Sequence, residues 1–198
     1  MYPFFKRLTD LGLALSAAFL LSPLILVAAA WIKLDSPGPV LFKQRRFGRG
    51  HRHFHIWKFR TMRRDTPADI PTHLLPEPGS FITRSGAFLR RTSLDELPQL
   101  INVIKGDMSL VGPRPALHNQ HDLMAERERW GANDVPVGLT GWAQINGRDE
   151  LPIVVKAALD GEYVRRRSFL FDLKIMALTG LRVFQARGVV EGGTRGRG

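Results

Sequence analysis

Two adjacent acids, Asp95 and Glu96, stand in Arg90-Arg91-Thr92-Ser93-Leu94-Asp95-Glu96-Leu97-Pro98-Gln99-Leu100. The pattern predicts a short helical stretch over Ala87–Arg91 and a second helix from Thr92 or Ser93 to about Lys105. A carboxylate at a helix N-terminus stays ionised, and so is available as a nucleophile or as a hard oxygen ligand for Mg²⁺. The structural alternative is a capping box, with Ser93 three residues before Glu96 and acids favoured by the dipole. Arg90 and Arg91 lie one turn away, which matters if the substrate is an anion.

Other cations recur in turn-forming contexts: Lys58 and Arg60 in WKFRTM, Arg114 between two prolines, and Arg148 after Asn146-Gly147. Singly, each reads as a solvated surface charge. Arginines on rigid turns also suit bidentate phosphate recognition, and several converging would make a diphosphate site. His51, His53 and His55 alternate as on one strand face, either a plain surface strand or a metal site. A glycine-rich loop of the P-loop or dinucleotide type is missing from the sequence, which disfavours an ATPase or a dehydrogenase.

These residues belong to a chain of 198 residues with 29 Lys+Arg against 18 Asp+Glu, a net charge of +11 and no cysteine. That length favours one domain. Without cysteine there is no disulfide framework, thiolate nucleophile, Cys-ligated zinc or iron–sulfur cluster. Hydrophobic residues at 44% and charged residues at 24% allow a buried core. The excess positive charge calls for nucleic acid, lipid headgroups or a phosphorylated substrate.

Leu11 to Ile32 is a run of 22 residues without a charge, about 33 Å long as an ideal helix and enough to cross a bilayer. A single-pass anchor or an uncleaved signal sequence is one interpretation. Ser22-Pro23 in its middle predicts a kink. Basic flanks on both sides, Lys6 and Arg7 before and Lys33 to Arg52 after, favour both ends in the cytoplasm. A re-entrant helix-break-helix over residues 1–35, with residues 1 to 10 cytoplasmic, satisfies both observations.

Residues 36 to 64 hold nine Lys/Arg and no acid, and alternate around Phe47-Gly48-Arg49-Gly50 as a β-hairpin does. A proline-rich loop covers Asp65 to Gly79. A helix is expected near Asn119 to Trp130, an irregular Gly/Pro stretch over Gly138 to Arg148, and helices over Ile153–Arg166 and Phe169–Arg187. The last two suit either core packing or the membrane interface, where Phe169, Phe171 and Phe184 could insert. The tail, 188–198, is expected to be disordered. The fold class is thus α+β and mostly helical.

The Ser-Pro break, WKFRTM, RTSLDELPQLINVIKGDMSLVGPRP, GLTGWAQINGR and FLFDLKIMALTGLRV, in that order over residues 1 to about 187, resemble the bacterial monotopic phosphoglycosyl transferases, in their small form. The resemblance implies a UDP-sugar donor, a polyprenol (undecaprenyl) phosphate acceptor, UMP and a polyprenol diphosphate sugar as products, and Mg²⁺ as cofactor. It implies Asp95 as nucleophile and metal ligand with Glu96 beside it, Arg90 and Arg114 near the active site, and Lys58, Arg60 and Arg148 within matching motifs that bind substrate phosphate. It also implies a re-entrant segment breaking at Ser22 and Pro23, and a catalytic domain over 36–187 on the cytoplasmic face of the bacterial inner membrane. Phospholipids are then a further partner and nucleic acid is not; a homodimer is left open. The competing classes are a membrane-tethered nucleic-acid binder, using Phe54, Trp57 and Phe59 to stack bases, and a non-catalytic scaffold.

Overall fold

Proline at position 23 removes the N–H that would bond the Phe19 carbonyl and places its ring against that same oxygen. In the computed structural model, which describes residues 2–67, 78–147 and 151–184, the apolar run is accordingly two helices, α1 (Tyr2–Leu20) and α2 (Ser22–Asp35), bent by 60°. The Ser22 hydroxyl donates to the Phe19 carbonyl at 2.7 Å, replacing the donor that Pro23 lacks. Among the described residues no single helix is long and apolar enough to cross a membrane; the bent pair passes that test together.

One stripe of this pair packs on the rest of the chain. Ala14 joins Ile56, Val103 and Val137, and Ala28 and Ile32 join Phe59 and Leu89. Arg7 donates to the Val103 and Ile104 carbonyls at 2.6 and 2.8 Å, satisfying the C-terminal end of α5 (Leu100–Lys105). The opposite stripe is bare: Phe19 is 80% exposed, Leu26 70% and Leu34 87%.

The expected hairpin forms from β1 (Leu41–Phe47) and β2 (His53–Phe59), antiparallel with Arg45 opposite His55. Its tip is a 3-10 turn, Arg49–His51, in which Gly50 takes the left-handed conformation at φ 63°. Asn102, fully buried, pins the hairpin to α5 by accepting from Trp57 N at 3.0 Å and donating to the His55 carbonyl at 2.8 Å. After α3 (Pro78–Phe81) comes α4 (Arg84–Arg91), which starts earlier than the expected Ala87 because Thr83 caps it, accepting from Gly86 N at 3.0 Å.

The single helix expected from Thr92 or Ser93 to Lys105 is two elements. A 3-10 turn, Leu94–Gln99, precedes α5, and Ser93 sits in the left-handed region at φ 58°. Pro98 has no N–H for the Leu94 carbonyl, so a continuous α-helix is disfavoured there. The capping box does not form either, since the Ser93 side chain makes no cap bond.

The stretch expected to be irregular contains β4 (Gly138–Thr140), paired in parallel with β3 (Ser109–Val111). Strands of three residues carry too little alternation to be read from sequence. Helix α6 (His121–Glu128) lies within its expected range, α7 is Trp142–Ile145, α8 is Ile153–Arg166 as expected, and α9 is Phe169–Phe184. Helix α9 is both core and surface: Phe171 and Ile175 are buried while Phe169 and Leu170 are exposed. Tyr2 and Lys6 bond the Asp172 carboxylate at 2.8 and 2.7 Å, tying α1 to α9. The expectations for Arg148, for most of the proline-rich loop and for the tail lie outside the described residues.

Helix α4 approaches the Thr61 backbone closely enough that a methyl group at position 86 overlaps the Thr61 carbonyl. Gly86→Ala is expected to cost about 1–3 kcal/mol or more by overpacking, read as a lower midpoint in thermal unfolding of the purified protein.

Candidate active site

The left-handed Ser93 turns the chain so that the 3-10 segment presents its acids toward β2. Glu96 Oε1 accepts from Lys58 Nζ at 2.8 Å and from Arg114 at 2.9 Å. Asp95 Oδ2 lies 3.9 Å from the same Lys58 nitrogen, and Asp95 is 8% exposed. Lys58 comes from the end of β2 and Arg114 from the proline-flanked turn after β3, so three separate elements meet at one carboxylate.

The two acids differ electrostatically. Burial opposes the Glu96 charge, but Arg114 and Lys58 outweigh it and hold the carboxyl well below the usual range. Burial pushes the Asp95 carboxyl up; Lys58 opposes this and the neighbouring Glu96 charge reinforces it. Asp95 is therefore the more basic of the pair, the property that favours a carboxylate as nucleophile.

A cavity of about 1040 Å³ opens on this cluster, lined by Lys58, Arg60, Arg90, Asp95, Glu96 and Arg114. Arg90 Nε is buried without a hydrogen-bond partner, leaving a donor suited to an anion. Arg60 lines the cavity, yet its terminal nitrogens donate to the carbonyls of Ile32, Ser36 and Pro37, so it ties the end of β2 to the end of α2. Arg148 lies outside the described residues.

Sequence reasoning missed Arg46, Thr140, Gln144, Lys156, Thr179 and Arg182, which complete the walls. No local signal marks them, because which face of a helix or strand lines a cavity depends on its packing.

Among the described residues no group of three or more His, Cys, Asp or Glu could hold a metal ion. His51 sits in the hairpin tip 3.1 Å from Glu128, and His53 stacks near Phe47, which leaves the histidine alternation as a surface feature. Of the aromatics that suggested base stacking, Phe59 is 2% exposed, Phe54 packs against the core, and Trp57 carries Lys43 4.1 Å from its ring centre.

The family model described as "Bacterial sugar transferase" matches residues 1–186. The chain is 44% identical over 185 residues to the "UDP-glucose:undecaprenyl-phosphate glucose-1-phosphate transferase" of Xanthomonas campestris pv. campestris, covering 90% of this chain and 38% of that protein. It is 42% identical over 186 residues to the Escherichia coli (strain K12) protein of the same name, covering 90% and 40%. It is 43% identical over 186 residues to the "Uncharacterized sugar transferase EpsL" of Bacillus subtilis (strain 168), covering 94% and 90%. The chain thus spans about two fifths of the first two proteins and nearly all of the third.

A carboxyl whose pKa folding raises loses stability when ionised, and that loss disappears below the ordinary carboxylate range, where it is protonated in both states. In metal-free buffer Asp95→Asn is therefore expected to raise Tm at pH 7, with the gain closing below about pH 4. Glu96 has the opposite sign: its depressed pKa stabilises above the ordinary range and is lost as pH falls through the folded value. Glu96→Gln is expected to lower Tm at pH 7, with the difference shrinking in acid.

Proposed function

Because the chain belongs to the bacterial sugar transferase family, we propose that it transfers a sugar phosphate from a UDP-sugar to polyprenol phosphate, giving a polyprenol diphosphate sugar and UMP. The observation that carries this reading is the meeting of Asp95, Glu96, Lys58 and Arg114 at the wall of one cationic cavity. Undecaprenyl phosphate is the acceptor in the names of two of its relatives.

The route is covalent. An Asp95 oxygen attacks the β-phosphorus of the donor, and the bond from that phosphorus to the bridging oxygen breaks, releasing UMP. The phosphosugar is held on Asp95 as an acyl phosphate. A phosphate oxygen of the acceptor then attacks the same phosphorus and restores the Asp95 carboxylate; no proton need move in either step. Lys58 and Arg114 stand where the equatorial phosphoryl oxygens gather charge. Glu96 holds both cations in place. Arg90 brings its unpaired donor to the diphosphate.

Mg²⁺ fits this donor set as an ion shared with the substrate: Glu96 is engaged by two cations, which leaves Asp95 as the protein carboxylate, and Mg²⁺ is commonly held by one or two carboxylates plus phosphates and water. When bound, it would neutralise the diphosphate and stabilise the leaving UMP.

The membrane explains why a water-soluble donor and a lipid acceptor can share a site. The bare stripe of α1 and α2 suits insertion into one leaflet from the cytoplasmic face, and the basic surface suits anionic headgroups. In this arrangement residues 1 to 10 are cytoplasmic, and a cysteine placed there is labelled only after the membrane is permeabilised.

The test is the nucleotide released when the solubilised protein meets UDP-glucose or other UDP-sugars, undecaprenyl phosphate and Mg²⁺. UMP is expected; UDP would instead mean ordinary glycosyl transfer. Asp95→Asn is expected to cut turnover by at least about 1000-fold while the protein remains folded, and residual activity near the wild-type level would refute the covalent route.

A further inference from the structure

Arg127 and Asp160 form an ion pair away from solvent, at 2% and 1% side-chain exposure, where α6 packs on α8. Asp160 Oδ2 accepts from the Arg127 Nε at 2.8 Å and lies 2.6 Å from a terminal nitrogen of the same guanidinium. That terminal nitrogen also donates to the backbone carbonyl of Arg114 at 3.0 Å. Pro113 and Pro115 have no N–H with which to pin the Arg114 turn, so it is held through its carbonyls: Gly138 N donates to that of Pro113 at 2.9 Å, and Arg127 holds that of Arg114. On its far side Arg46 donates to the Pro115 carbonyl at 3.0 Å, and Phe47 N to the Ala116 carbonyl at 2.9 Å.

Burying an ion pair is weak support for stability by itself, since apolar residues of similar size often do as well. The placement of one guanidinium between a buried acid and the Arg114 carbonyl gives the pair another task. We propose that Arg127, held by Asp160, is a positioning residue that fixes the Arg114 backbone and so sets where the Arg114 guanidinium meets Glu96 and the transferring phosphoryl group. This rests on the phosphoryl-transfer reading above for its kinetic consequence, and on the structure alone for its geometric one.

The decisive variant is the pair Arg127→Met with Asp160→Leu, which removes both buried charges together and orphans neither. It is expected to keep a cooperative melt while kcat for UMP release, with UDP-glucose or whichever other UDP-sugar the wild-type protein turns over, falls about 10- to 100-fold, the scale of an ångström-sized misplacement. In its crystal structure the 2.9 Å contact between Arg114 and Glu96 should be lost. Wild-type kcat in the folded pair variant, or an unchanged Arg114–Glu96 contact, overturns the proposal.

If the pair variant fails to fold, Arg127→Lys takes its place, because a single ammonium cannot match the fork that reaches both partners. Its effect on kcat should then be less than multiplicative with that of Arg114→Lys, whereas a merely structural role gives multiplicative losses. A wild-type protein that releases no UMP counts against the transfer reading; the Arg114–Glu96 contact in the variant structure still decides the positioning role.

Discussion

A carboxylate taken out of water must be neutralised nearby, and Glu96 is neutralised by Lys58 and Arg114, which come from elements far apart in sequence. That requirement organises the centre of the molecule. The hairpin must end beside the 3-10 segment, and the proline-flanked turn must return to the same point. Asn102 serves the first condition by joining β2 to α5, while Arg46, Phe47 and Arg127 serve the second by holding successive carbonyls of the turn. Asp95, one residue away, then inherits a buried position beside two fixed cations and a fixed negative charge.

The division of labour within the acid pair follows from this frame. A residue gripped at 2.8 and 2.9 Å by two cations is a poor nucleophile, because its lone pairs and charge are committed. Its neighbour, at 3.9 Å from Lys58, keeps more of its basicity. Sequence adjacency alone would make the two acids equivalent; the left-handed Ser93 and the 3-10 winding around Pro98 separate their environments.

Much of this was legible in the residues themselves, and the exceptions share a cause. Ser22-Pro23 announced the bend because proline acts on its own backbone, and the hairpin announced itself through alternation about two glycines. The acids and the flanking arginines were visible as chemical types. What could not be read was anything set by a distant partner: that Arg60 is committed to carbonyls at the end of α2, that Glu96 turns to Lys58 rather than back to Ser93, or that Lys156 and Arg182 face the cavity. The parallel pairing of β3 with β4 escaped for a related reason, since three residues a side carry no period, and Gly138 and Gly112, the latter just after β3, matter only where the two backbones meet.

Helices α1 and α2 look, by composition, like an appendage that could be trimmed away. Their packing says otherwise. Without them Ile56, Val103, Phe59 and Leu89 would lose their apolar cover, the last carbonyls of α5 would lose Arg7, and Arg60 would lose the Ile32 carbonyl. A fragment made by deleting the N-terminal pair would thus be a protein with an opened core, and preparative work has to carry both helices along.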